Sequence, residues 1–353
     1  MSESQPVPDD TARRSPRSRP RWGKILKITA VTVVAVVGLA AAGAYFTSER
    51  LARQIHRTPD VFAGLDESTR PPPTSALDVL LVGSDSLADG PTTGSEATEP
   101  AAEPGGQRSD AIMLVHIYPD FTRAAVVSIP RDSWVDLPGH GKAKINASYA
   151  YGGPSLLVDT VEKLTGIRVD HFAVIDFAGL QALVDAVGGI DVSIDRTTTF
   201  GALTLRAGLN HLNGAATLGY VRQRKGLPAG DLDRVQRHQN AVRALLTRAT
   251  EGGLLSSPVR TYGFLDEFTR WVTVDDTLTN SDLRSLGWSL RNLRPENVTF
   301  LTAPVAGLGR ESGQSVVYLD AENGGQLWHS MSVNDVAGYV RTHPGTDLGG
   351  STP

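Results

Sequence analysis

Two apolar runs, Ile112 to Ile117 and Ala124 to Ile129, flank the turn Pro119-Asp120-Phe121-Thr122. Short runs bounded by turn residues predict a β-hairpin. The turn is centred between residues 120 and 121, so antiparallel pairing sets Asp110 opposite Arg131 at the open end. Leu77 to Val82 is a third short run, ended by Gly83. If it pairs antiparallel with Ile112–Ile117, its C-terminal end brings Asp85 to the same place. One end of one sheet then collects Asp85, Arg108, Asp110 and Arg131. One inserted residue would disturb that register.

Further along, Pro154 to Thr165 fits an amphipathic helix, His171 to Ile175 a strand and Ala178 to Val187 a helix stopped by Gly188-Gly189. A strand over Ile190 to Ile194 and a helix over Val235 to Thr250 follow. The last third continues with helices near Asp282–Leu293 and Asn334–Thr342 and strands near Val298–Thr302 and Ser315–Leu319. Leu87 to Gln107, rich in Gly, Pro, Ala, Thr and Glu, reads as a long acidic loop. Neither an internal repeat nor a linker marks a second domain after residue 77. Hairpins mixed with helices predict an α/β chain with a mixed sheet covered by helices.

The N-terminal region has a different character. Residues 1–27 hold seven Lys/Arg and three Asp/Glu, and residues 28–48 carry no charge. At roughly 1.5 Å per residue such a run is about 31 Å long, enough to cross a bilayer core. The basic flank predicts a cytoplasmic tail (1–27), a single membrane anchor (28–48) and an extracytoplasmic body. A cleaved signal peptide competes, because Ala42-Gly43-Ala44 is a small-x-small sequence, but the apolar run exceeds a usual signal core. Residues 49–76 read as a linker, 77–342 as the folded domain and 343–353 as a disordered tail. The acidic body argues against nucleic-acid binding. With no cysteine, disulfides, thiolate zinc sites and cysteine nucleophiles are excluded.

Two neighbouring carboxylates, Asp85 and Asp110, need a cation to relieve their repulsion. Magnesium suits oxygen ligands and shares them with substrate phosphates. Arginine forks match phosphate oxygens two at a time. A second basic motif, Tyr220-Val221-Arg222-Gln223-Arg224, precedes Asp231-Leu232-Asp233-Arg234-Val235-Gln236-Arg237-His238. On an extended segment Arg222 and Arg224 point the same way. Asp231 or Asp233 can cap the next helix, which displays Arg234 with Arg237 or His238 on its first turns. The competing reading is a solvated basic face paired to Asp231 and Asp233. Together the two clusters describe a site for a phosphorylated, pyrophosphate-class substrate. Lys144 and Asn146 stand open between a glycan contact and a helix cap. Tyr149 and Tyr151 read as packing residues before sugar platforms. His116, His140, His171 and His211 lack metal-ligand spacing.

These segments resemble the LytR-CpsA-Psr family of extracytoplasmic glycopolymer transferases. The carrying residues are Asp78 to Ser86, Arg108-Ser109-Asp110-Ala111-Ile112-Met113, Ser128-Ile129-Pro130-Arg131-Asp132, Lys144 to Gly153 and Tyr220 to Arg224 with its Asp231 to Gln239 continuation. The resemblance implies a three-layer α-β-α sandwich around a mixed sheet, preceded by one transmembrane helix in the cell membrane, with an apolar tunnel for a prenyl chain. It implies Mg²⁺ held by Asp85 and Asp110, and a pyrophosphate held by Arg108, Arg131, Arg222, Arg224 and Arg234, with His238 beside them. Arg131, Arg222, Arg224 and Asp110 would be catalytic. The implied reaction moves a glycopolymer from a polyprenyl-pyrophosphate carrier to a peptidoglycan acceptor. A Mg²⁺-dependent polyprenyl-pyrophosphate hydrolase and a membrane-anchored lipid-binding regulator are the rival readings. The chain departs from the family pattern at His238, where Gln is usual, at Asp233, where a small residue is frequent, and at Leu87, where Arg is frequent.

Overall fold

The computed structural model describes residues 48–86, 93, 107–201, 203–223, 226–251 and 257–353, with backbone alone at 85, 86, 107, 108, 251, 258 and 259. In chain order the strands begin with β1 (His56–Thr58), β2 (Leu77–Ser86), β3 (Gln107–Ile117), β4 (Ala124–Ile129), β5 (Trp134–Leu137) and β6 (Gly141–Lys144). Helix α1 (Asn146–Thr165), β7 (His171–Asp176), α2 (Phe177–Ala186), β8 (Ile190–Ile194), β9 (Thr198–Phe200), β10 (Leu203–Leu205) and β11 (Gly208–Leu212) follow. Next come α3 (Gly214–Arg222), α4 (Asp231–Glu251), α5 (Pro258–Trp271), β12 (Val272–Asp275) and α6 (Asn280–Ser289). The last are β13 (Val298–Thr302), β14 (Val305–Glu311), β15 (Gln314–Leu319), α7 (Ala321–Ser332) and α8 (Val336–Thr342).

Seven strands form the central sheet in the order β1-β12-β7-β2-β3-β4-β13. It is mixed: β2 runs parallel to β7 and antiparallel to β3, and β4 runs antiparallel to β3 and parallel to β13. Alternation along the strands feeds two faces. Leu80, Val82, Ile112, Leu114 and Val127 pack with Leu157 and Val161 of α1 and with residues of α7 and α8. On the opposite face Met113, Val126 and Phe300 meet Val242 of α4. Phe268 of α5 and Leu283 of α6 cover Ile55, Val272 and Val274.

β3 and β4 pair in the register that the turn dictates, with Ile112 opposite Ile129 and Ile117 opposite Ala124. β2 and β3 pair regularly from Leu77↔Ile117 to Gly83↔Ala111, then shift, so that Ser84 faces Ser109 and Asp85 faces Arg108. Asp110 is the inserted residue, without a partner on β2. Glycine at 83 permits this approach, because a Cβ there would stand only 3.0 Å from the Ala111 Cβ.

Three expectations give way. Residues 49–76 are no linker: β1 extends the sheet by pairing with β12. Val61 is in the core, and Arg70 forms a 2.7 Å ion pair with Glu162 of α1. A three-residue strand carries no periodicity to read. The tail is not disordered either. Thr352 is buried and exchanges backbone hydrogen bonds with Ser193 and Asp195 beside β8. Its hydroxyl lies 2.6 Å from the Tyr220 hydroxyl. Finally, Arg222 ends α3 instead of lying on an extended segment, because the Asn213 side chain caps that helix by accepting from the Ala216 N–H at 2.9 Å. The segment 28–47 and most of the loop 87–107 lie outside the described residues. Among the described residues no helix is long and apolar enough to cross a membrane.

Candidate active site

The loop after β4 places Arg131, and α1 fixes that loop. Ile145 N–H donates to the Ser133 carbonyl at 2.8 Å and Asn146 N–H to the Arg131 carbonyl at 3.2 Å. Lys144 reaches back to Asp132 at 3.0 Å. So Lys144 and Asn146 belong to the same construction as Arg131, by tertiary pairing that spacing alone does not reveal. The helix they introduce is broken at Gly152 and Gly153, where φ reaches 63° at Gly153, and restarts at Pro154.

Arg131 binds Asp110 through Nη1 at 2.5 Å and lies 3.3 Å through Nε from Asp231. Arg234 approaches the same Asp231 Oδ1 at 2.5 Å. Two guanidinium groups thus flank one carboxylate oxygen at the start of α4. The sequence suggested Asp231 or Asp233 as a cap. Asp233 serves the loop, accepting from the Ala229 N–H at 2.8 Å, while Asp231 joins the arginines. Burial works against the charge of Arg131, but Asp110, Asp231 and Asp132 outweigh it and raise its pKa. Burial pushes the Asp231 carboxyl up despite the pull of Arg234 and Arg131. Its Oδ2 is buried without a hydrogen-bond partner.

The other expected residues divide. Arg234 is buried at the cluster. Arg222 is exposed, with its guanidinium 4.8 Å from the centre of the Phe177 ring. The side chains of Asp85 and Arg108 and all of Arg224 lie outside the described residues. His238 is buried, with Nε2 3.0 Å from the Val221 carbonyl. Burial, reinforced by Arg234, drives its pKa down to about 4, so the ring is neutral at pH 7 and Nε2 donates to that carbonyl. Arg237 turns away from the cluster to the Pro353 carbonyl at 2.8 Å and the face of Tyr220.

Two cavities meet at Asp110. A narrow apolar one, about 70 Å³, lies between the sheet and α2, α3 and α4, lined by Leu81, Met113, Ile175, Phe177, Leu180 and Val242 among others. A wide polar cleft, about 770 Å³, opens on the other side and is lined by Arg131, Asp132, Trp134, Lys142, Lys144 and Tyr151 with Asp110. Of the oxygens a hard cation such as magnesium prefers, the described residues offer the Asp110 carboxylate at the strand end and the orphaned Asp231 Oδ2 at the start of α4. Among the described residues no three candidate ligands cluster to hold an ion by themselves.

The α/β scaffold thus brings carboxylates and arginines together between an apolar cavity and a polar cleft. The profile of the LytR_cpsA_psr family matches residues 46–332, and the chain belongs to that family. The chain is 36% identical over 260 residues to the probable cell wall biosynthesis protein LcpB of Corynebacterium glutamicum, covering 73% of this chain and 61% of that protein. It is 36% identical over 151 residues to the polyisoprenyl-teichoic acid–peptidoglycan teichoic acid transferase TagU of Bacillus mycoides, covering 42% of this chain and 50% of that one. The crystal structure of Bacillus subtilis TagV superimposes with a TM-score of 0.59 at 24% identity, over 74% of this chain and 97% of that chain, a likeness of fold.

Proposed function

We propose that this protein transfers a glycopolymer from a polyprenyl-pyrophosphate carrier to a peptidoglycan hydroxyl, with Mg²⁺ held by Asp85 and Asp110. The observation carrying this reading is the position of Asp110, which lines both cavities. A lipid-linked glycan has an apolar and a polar end joined by a phosphoanhydride, and Asp110 and Arg131 stand where that join would lie. The names of LcpB and TagU point to the same chemistry.

In this scheme the acceptor hydroxyl attacks the phosphorus bonded to the glycan. A phosphodiester forms, the phosphoanhydride P–O bond breaks, and polyprenyl phosphate leaves with the bonding electrons. The acceptor proton passes to a carboxylate in the cleft wall, Asp110 or Asp132. The metal supplies charge neutralisation at the phosphoryl oxygens. Arg131 and Arg234, with Arg108, Arg222 and Arg224, would balance charge on the departing phosphate. The segment 28–48 anchors the chain, with the N-terminus cytoplasmic and the body outside.

The test uses the full chain in lipid nanodiscs with a synthetic polyprenyl-pyrophosphate oligosaccharide and a peptidoglycan oligomer. Mass spectrometry follows products with and without Mg²⁺. The expected product is a phosphodiester conjugate, reduced about 10²-fold or more in Arg131→Ala. Prenyl phosphate without conjugate would replace transfer by hydrolysis. Lipid binding without turnover would leave a binding protein.

A further inference from the structure

A second cleft, about 430 Å³, adjoins the polar one, and Trp134 lines both. Its other walls come from Tyr318 on β15, from α1 at Lys163 and from the first turns of α7, including Gly325 and Trp328. The connection between the clefts is braced. Val317 N–H donates to the Asp132 carbonyl at 2.9 Å, and Ser133 bridges to Val317, tying the β14–β15 hairpin to the loop that carries Asp132 and Arg131.

Tyr318 is held as a platform. Its ring lies across Gly309 of the paired strand, where a Cβ would collide with it, and its hydroxyl donates to Glu311 at 2.7 Å. A glycine on an edge strand is commonly covered by a cross-strand aromatic. Here the covering ring also forms a wall of a cleft lined by a second aromatic, Trp328, and by a third, Trp134, which it shares with the polar cleft. Aromatic walls with a few polar groups suit ligands that are apolar on their faces and polar at their edges, as sugar rings are. The charge selects among glycans. Asp136 and Asp320 line the cleft, and its one lining cation, Lys163, is already paired with Asp159 at 2.8 Å. A polyanion is disfavoured there. The polar cleft beside it, by contrast, carries Lys142, Lys144 and Arg131 against Asp110 and Asp132, which leaves Lys142 as the surplus cation.

We propose that the Trp134–Tyr318–Trp328 cleft is a distal saccharide subsite that binds a phosphate-free glycan strand extending from the reaction centre. In the transferase reading, on which its identification as an acceptor subsite rests, that strand is the acceptor. The phosphate-bearing glycopolymer stays on the lysine side.

The experiment measures binding without turnover, so failure of the transferase reading and failure of the subsite are distinguishable. Full-length protein in nanodiscs is titrated with β-1,4-linked N-acetylglucosamine oligomers of two, four and six units, and with poly(glycerol phosphate). The expected result is affinity rising with length, the hexamer at least about tenfold tighter than the dimer. Gly325→Phe tests the cleft without dismantling it. Gly325 lies in α7 with no atom within 4 Å of an added Cβ, so the new ring enters the cleft while the helix gains propensity. Gly325→Phe and Tyr318→Ala should each reduce the hexamer-to-dimer ratio to below about threefold, and Tyr318→Phe, which keeps the ring, should restore it. A ratio near one in the wild type, a ratio untouched by Gly325→Phe, or poly(glycerol phosphate) competing at the distal cleft would each overturn the proposal.

Discussion

His238 should make the protein acid-sensitive by a calculable amount. The ring is buried, and its pKa falls from 6.5 in the unfolded chain to about 4 in the folded one. Because the folded value is depressed, the unfolded chain binds the extra proton between those limits, and stability rises with pH across that window. The contribution is complete above about pH 7 and is lost as pH falls toward 4. The full shift corresponds to about 3 kcal/mol. Between pH 7.5 and pH 5, before the folded-state histidine takes up much proton, it amounts to about 2 kcal/mol. His238→Gln removes the titration and retains an amide donor that can reach the Val221 carbonyl now held at 3.0 Å. Urea unfolding of both proteins at the two pH values isolates the term, since carboxylates and other histidines cancel in the difference. The wild type should lose about 2 kcal/mol more than the variant on going to pH 5. Equal losses would refute the assignment of a neutral, buried imidazole. Greater loss in the variant would reverse its sign.

Arg70→Ala should destabilise the body by about 3–5 kcal/mol, because it strands Glu162, only 1% exposed, as an unpaired buried carboxylate. Thermal unfolding of the variant reads this, and Glu162→Gln in the same background should recover part of it. Deleting residues 347–353 should lower the melting temperature by several degrees, since Tyr220, Arg237 and Asn240 all lose partners in the tail. A melting curve indistinguishable from wild type would show that the tail adds nothing.

The meeting of Asp110 with Arg131 was legible because one turn fixes the register of both flanking strands, and equal arms leave no freedom. The shift between β2 and β3 was not, because it depends on how closely Gly83 and Ala111 approach, a tertiary quantity. Asp231 was visible as a charged residue three before Arg234, but its place beside Arg131 comes from how α4 docks on the sheet. The same applies to Asn146, whose N–H holds the Arg131 carbonyl across a hairpin. The segments 49–76 and 343–353 were misread for a common reason. Pro, Gly, Ser and Thr lower any hydrophobic signal, yet a few buried anchors such as Val61 and Thr352 suffice to fix them.

The charge at the centre bears on the proposed metal. Asp110 and Asp231 face Arg131 and Arg234 in one chain of ion pairs, and Asp132 pairs separately with Lys144, three anions against three cations in all. Such a set is neutral without ligand, though the Asp231 Oδ2 within it lacks a hydrogen-bond partner. A pyrophosphate diester entering it carries about two negative charges, and a buried net charge of that size is costly. Either further arginines must contribute, or a divalent cation must arrive with the substrate. The arginine forks offer geometry, and a divalent ion offers two charges without the entropy of ordering long side chains. On this reasoning metal and substrate affinity are coupled, each raising the other by the same factor. The bulged Asp110, released from pairing on β2 and turned between both cavities, is the carboxylate through which that coupling would run.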